Sequence, residues 1–137
     1  DPPAAAALLQ RGNETILIAE DEPAIIALAQ TVLQRCGYRV LAASGPQQAL
    51  AVAEAHDGPI HLLLTDVIMP EMNGRELGER VIAARPDVKV LYMSGYSINV
   101  IAEHGILCND VQLLEKPFTA AALAERVRRI LDAPAAT

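Results

Sequence analysis

Short apolar runs alternate with longer segments of helical period along this chain, and that alternation sharply limits the folds open to it. Ile16-Leu17-Ile18-Ala19 is near-continuously apolar and ends in Glu20-Asp21. Pro23 then suits a first helical turn, and Ile25, Leu28, Ala29, Val32 and Leu33 share one face until Cys36-Gly37 closes the helix. A second strand, Arg39 to Ala43, leads through Ser44-Gly45-Pro46 to a helix carrying Ala49, Leu50, Val52 and Ala53. The third strand runs from Ile60 to Thr65 and stops at Asp66; a loop, 67–74, precedes a helix with Leu77, Val81 and Ile82. Val88 to Met93 is the fourth strand, ending at Ser94-Gly95. Ile98, Ile101 and Ala102 mark a short helix that Gly105 interrupts, and Val111 to Leu114 is the fifth strand. The last helix starts near Thr119, with Leu123, Val127, Ile130 and Leu131 on its buried face.

Five strands alternating with five helices predict a single α/β domain, a parallel sheet covered by helices on both faces. Strands buried on both sides read as unbroken apolar runs, as these do. With three tyrosines, one phenylalanine and no tryptophan, the core is expected to consist of Leu, Ile, Val and Ala. Residues 1–13 read as a linker, 14–132 as the domain and 133–137 as a tail, and both ends look cut from something longer. The balance of 11 basic against 17 acidic residues, with no basic cluster, argues against direct nucleic-acid binding. No apolar run approaches the roughly 18 residues a membrane span needs, so no membrane contact is expected of this segment. Cys36 and Cys108 lack zinc-site or disulfide-framework spacing and read as small apolar residues in a reducing, cytoplasmic compartment.

In open α/β sheets, ligands sit beyond the carboxyl ends of the strands, where strand order reverses. Those ends deliver Glu20 and Asp21 from strand one, Asp66 from strand three, Ser94 from strand four and Lys116 after strand five. Each has an ordinary explanation on its own: Asp21 as a helix cap, Asp66 as an Asx-turn residue, Ser94 as a turn residue, Lys116 as a solvated lysine. Those explanations leave their common position unaccounted for. Two carboxylates about 5 Å apart repel by roughly 3 kcal/mol at an effective dielectric near 20, and one lysine cannot neutralise three. A divalent cation can, and an all-oxygen set suits Mg²⁺. A phosphoryl oxygen would then complete the metal shell while Lys116 and the Ser94 hydroxyl take others, which makes Asp66 a candidate nucleophile forming an aspartyl phosphate.

At these residues the chain resembles the response-regulator receiver domains of two-component systems. The motifs are Ile16-Leu17-Ile18-Ala19-Glu20-Asp21-Glu22-Pro23, Thr65-Asp66-Val67-Ile68-Met69-Pro70-Glu71-Met72-Asn73-Gly74, Met93-Ser94-Gly95-Tyr96 and Glu115-Lys116-Pro117-Phe118. The resemblance implies a flavodoxin-like (βα)5 fold with strand order 2-1-3-4-5. It implies that Asp66 accepts a phosphoryl group from phosphohistidine on a histidine kinase or histidine phosphotransfer domain. Asp21 would be the direct Mg²⁺ ligand, Glu20 an acidic neighbour acting through water, and the Ile68 backbone carbonyl a further ligand. Ser94 would follow the phosphoryl group, Lys116 would pair with it, and the Lys116–Pro117 bond would be cis. Such a domain is not an enzyme by itself, and homodimer formation stays open. The segment Tyr96 to Phe118 is most similar to C-terminal receivers of hybrid sensor histidine kinases. One departure stands out: receivers usually carry Tyr or Phe three residues before the lysine, where this chain has Leu113, with Tyr96 a candidate substitute. Ile68 and Tyr96 beside the aspartate would also restrict water and slow self-dephosphorylation.

Two rivals share parts of this pattern. A haloacid-dehalogenase-like phosphatase also forms an aspartyl phosphate but needs a second acid two residues on, where Ile68 stands. A flavodoxin-like nucleotide binder needs a phosphate-cradling loop after strand one, where Glu20-Asp21-Glu22-Pro23 would repel phosphate unless a metal were present.

Overall fold

A computed structural model describes residues 12–95 and 112–133. Its elements follow in the order β1 (Thr15–Ala19), α1 (Pro23–Arg35), β2 (Arg39–Ala43), α2 (Pro46–Ala55), β3 (Leu62–Asp66), α3 (Gly74–Ala84), β4 (Lys89–Ser94), β5 (Leu113–Glu115) and α4 (Ala120–Asp132). All strand pairs are parallel, and the sheet order is β2-β1-β3-β4-β5. The chain builds outward from β1 to β2, then crosses back to place β3 on the other side of β1. That reversal opens the crevice at the carboxyl ends of β1 and β3.

The central strands bury both faces. Ile16 and Ile18 join Leu62, Leu64, Leu91 and Met93 beneath α1 and α4, while Leu17, Ala19 and Leu63 face Ala49, Ala53, Leu77 and Val81 of α2 and α3. Tyr38, Tyr92, Cys36 and three methionines are also buried, so the core is not restricted to Leu, Ile, Val and Ala. Met93 packs in the cluster beneath α1 and α4, and Met69 and Met72 in the one beneath α2 and α3.

Local chemistry sets the helix ends. Pro23 and Pro46 open α1 and α2, where a missing N–H costs nothing. Asn73 and Thr119 cap α3 and α4 by accepting from the Glu76 N–H at 2.9 Å and the Ala122 N–H at 3.0 Å. After α1, Gly37 takes φ +99°, and the Tyr38 N–H reaches the Leu33 carbonyl at 3.1 Å, a Schellman stop.

Strands three and four begin and end one or two residues later than the apolar runs suggest, because register with β1 and β3 rather than hydrophobicity fixes pairing. Leu28 and Ile82, counted among the apolar residues of their helices, are 41% and 40% exposed. Each lies at the margin of its helix's apolar stripe, where Ala29 and Val32, or Gly78 and Val81, already fill the contact with the sheet. Tyr96, the helix expected around Ile98, Cys108, Val111, most of the linker and most of the tail lie outside the described residues.

Candidate phosphoryl-transfer site

Glu20 follows β1 directly, Asp66 is the last residue of β3, Ser94 the last of β4, and Lys116 follows β5. Parallel pairing aligns these ends: Asp66 pairs with Met93, and Ser94 with Glu115. The Val67 N–H continues the ladder to the Met93 carbonyl at 2.9 Å, and the Lys116 N–H to the Ser94 carbonyl at 2.7 Å. Sheet register thus gathers residues up to 96 positions apart in the sequence.

Glu20, Asp21 and Asp66 each offer a carboxylate oxygen, and these oxygens all lie within 4.8 Å of one another. The Lys116 Nζ donates to Glu20 Oε1 at 2.8 Å and lies 3.3 Å from Asp66 Oδ1. Glu20 Oε2 accepts the Glu22 N–H at 3.1 Å. Glu20 and Asp66 are buried, Asp21 is exposed, and the Lys116–Pro117 bond is cis. Ser94 is buried within the strand. Ile68 stands two residues past Asp66, its side chain half exposed.

The ordinary explanations of these residues do not survive the structure. Glu22, not Asp21, is the N-cap of α1, and no side chain caps that helix. Asp66 belongs to a strand and not to a turn, Ser94 likewise, and Lys116 is paired with two carboxylates.

Electrostatics here are unbalanced by construction. Burial raises the Glu20 carboxyl above its ordinary range, the nearby Asp66 adding to this and the Lys116 hydrogen bond opposing it. Burial likewise raises Asp66, against the pull of Lys116. For Lys116, burial is the largest influence and acts downward, yet the Glu20 hydrogen bond and the Asp66 charge together hold it above its usual value. With all groups ionised, three carboxylates against one ammonium leave two negative charges uncompensated among the described residues. Hard divalent cations take oxygen ligands, and these three carboxylates, all with oxygens within 4.8 Å of one another, fit such an ion.

Sequence reasoning missed several supporting parts. Gly74 is needed because a Cβ there would overlap the Asp66 carbonyl oxygen and crowd Val67 Cα; its own N–H donates to the Val67 carbonyl at 2.7 Å. The Asn73-Gly74 pair before a helix was the available signal. The direct Glu20–Lys116 pair was also missed, and no spacing rule links residues so far apart.

The fold and this acidic strand-end site define a doubly wound α/β domain built to gather carboxylates around one lysine. Residues 16–128 match the family model described as response regulator receiver domain. Among relatives, the sensor kinase CckA of Brucella abortus (strain 2308) is 33% identical over 88% of this chain and 13% of its own length. The response regulator receiver protein CpdR of the same organism is 31% identical over 86% of this chain and 97% of its own length. A crystal structure of the receiver domain from the hybrid histidine kinase CckA superposes with a TM-score of 0.72 at 36% identity, covering 86% of this chain and 99% of that one. The chain thus spans only a small part of the sensor kinase but nearly all of CpdR.

This chain belongs to the response regulator receiver domain family. Receiver domains act in two-component signalling, interact with kinases or phosphotransfer partners, and use Mg²⁺ at an acidic site. Nothing in these relationships supports the phosphatase alternative.

Proposed function

We propose that Asp66 is the phosphoacceptor of this receiver, and that Glu20, Asp21, Asp66 and the Ile68 backbone carbonyl hold Mg²⁺ beside it. The observation that carries this is the Lys116 ammonium, 2.8 Å from Glu20 and 3.3 Å from Asp66, set against three carboxylates that among the described residues leave two negative charges over.

Asp66 Oδ attacks the phosphorus of a phosphohistidine; the new O–P bond forms as the N–P bond breaks, and the imidazole leaves with its electron pair. Bound Mg²⁺ supplies charge neutralisation of the phosphoryl oxygens. Lys116 moves its hydrogen bonding from carboxylates to the incoming phosphoryl group, and the Ser94 hydroxyl donates to another of its oxygens. Ile68 limits water at the mouth of the site and slows hydrolysis of the aspartyl phosphate.

The donor is a histidine kinase or histidine phosphotransfer domain, in the same chain or another. Residues 14–132 form the receiver in the cytoplasm, and similarity to CckA supports origin in a hybrid kinase. Acetyl phosphate with Mg²⁺ tests the assignment: the protein should gain the mass of one phosphoryl group, located on Asp66 by peptide mapping. Asp66→Asn or chelation of the metal should abolish the gain. Labelling that persists in Asp66→Asn would place the acceptor elsewhere.

A further inference from the structure

Leu113 pairs in register with Tyr92 of β4. The Tyr92 ring is buried, packed with Val67, Val90 and Leu113. Val67 follows Asp66 directly, and its backbone bonds both ways, its N–H to Met93 of β4 and its carbonyl to the first residue of α3, Gly74. One side of the ring therefore rests on the residue that links the phosphoacceptor strand to β4 and to α3. The phenol oxygen lies at Gly78 of α3, where a Cβ would stand only 3.0 Å from it. Gly78 is buried and has no side chain to intervene, so the hydroxyl meets the helix itself. Alternate residues of a strand share a face, so Tyr92 and Ser94 project to the same side of β4.

We propose that Tyr92 is the positioning residue through which the state of the Asp66 site reaches α3, in place of an aromatic residue on β5. Close-packed interiors transmit displacement because no void absorbs it. A shift of Val67, or of the β4 end when Ser94 closes on a phosphoryl group, presses the ring, and the ring presses Gly78. Leu113, the smaller partner, leaves the aromatic on β4, so the response leaves the site toward α3. The surroundings of the hydroxyl agree: burial raises its proton affinity, the Glu79 charge adds to that, and Arg75 opposes it, both of them residues of α3. This inference rests on the phosphoacceptor reading above.

Backbone amide NMR of the whole chain with Mg²⁺ and beryllofluoride, a mimic of the aspartyl phosphate, tests it. In the native sequence, shifts should appear in residues 66–74 and continue along α3 through residue 82. Tyr92→Leu should keep the first set and reduce the second about threefold. Tyr92→Phe, which retains the ring, should restore most of it. A second route avoids the large substitution: Gly78→Ala adds a methyl group at the hydroxyl's seat and should change the α3 response, while Gly78→Ala with Tyr92→Phe should recover it, a non-additive pair. An α3 response unchanged in Tyr92→Leu, or additive behaviour of the Gly78–Tyr92 pair, overturns the relay while the phosphoacceptor assignment stands. An absence of shifts around Asp66 itself overturns that assignment, and the relay with it.

Discussion

At the carboxyl ends of the strands Glu20 and Asp66 share one ammonium, whereas at the amino ends one guanidinium is surrounded by partners. There, Arg128 of α4 grips Glu14 through two bonds, at 3.1 and 2.6 Å, reaches Asp132 at 2.8 Å, and donates to the Tyr38 hydroxyl at 3.2 Å. Lys89, at the start of β4, caps the last turn of α4 through the carbonyls of Ile130, Leu131 and Ala133. Arg85 ties down the turn after α2 by donating to the carbonyls of Ala53, His56 and Gly58. One end of the sheet is thus electrostatically closed and the other left open. The closed end fastens the entry to β1 onto the last helix; the open end gathers three carboxylates around one ammonium among the described residues.

Gly74→Ala should break the open end most severely. The added methyl group meets backbone atoms of Asp66 and Val67, which cannot swing aside as a side chain could. We expect a loss of about 3 kcal/mol in chemical denaturation, at the upper end of overpacking costs, together with weakened Mg²⁺ binding. A denaturation midpoint equal to that of the native sequence would show that α3 can be displaced freely.

Arg128→Ala should break the closed end next. Glu14 and Tyr38 would lose a charge-assisted partner in a partly buried setting, at a cost of about 2 kcal/mol. The exposed Asp132 contributes little of this. Phosphorylation of Asp66 should continue at its native rate, since the clasp lies at the opposite end of every strand. A fall in phosphorylation matching the fall in stability would mean that the two ends are coupled.

These two ends were unequally legible in the sequence. The open end could be read because its residues sit where apolar runs stop, so strand-end position alone selected Glu20, Asp21, Asp66, Ser94 and Lys116. The closed end was not, because Arg128 and Glu14 are 114 positions apart and look like ordinary charges on a helix and ahead of a strand. Only the packing of α4 onto the face of the sheet that carries Ile16 and Ile18 brings them together. The same limit hid Tyr92, which reads as one more apolar residue of β4 until its register with Leu113 and its seat at Gly78 are known. Strand order, too, came from family resemblance and not from periodicity, which cannot tell which strands are neighbours. Leu28 and Ile82 mark the remaining error: helical period finds an apolar stripe but not its edge.

The smallest effect is the one that sets the signs of the two ends against each other. Glu14 is lowered in the fold, chiefly by its hydrogen bond from Arg128, so its contribution is present above the unfolded value of 4.5 and is lost as pH falls through the folded one. Glu20 and Asp66 are raised, chiefly by burial, so theirs is present below the unfolded values of 4.5 and 3.8 and is lost as pH rises through the folded ones. In metal-free buffer, the stability gap between the native sequence and Arg128→Ala should therefore shrink as the medium is acidified through the carboxylate range. At neutral pH, where the open end is least favourable, Mg²⁺ should restore what ionisation removed. Binding to the folded state alone stabilises it by about 1.4 kcal/mol at ten times the dissociation constant. Asp21→Asn should weaken that gain without altering the acid-side behaviour of the clasp. Thermal unfolding across pH, with and without Mg²⁺, measures both, and a Mg²⁺ increment as large in acid as at neutral pH would contradict a site made of titrating carboxylates.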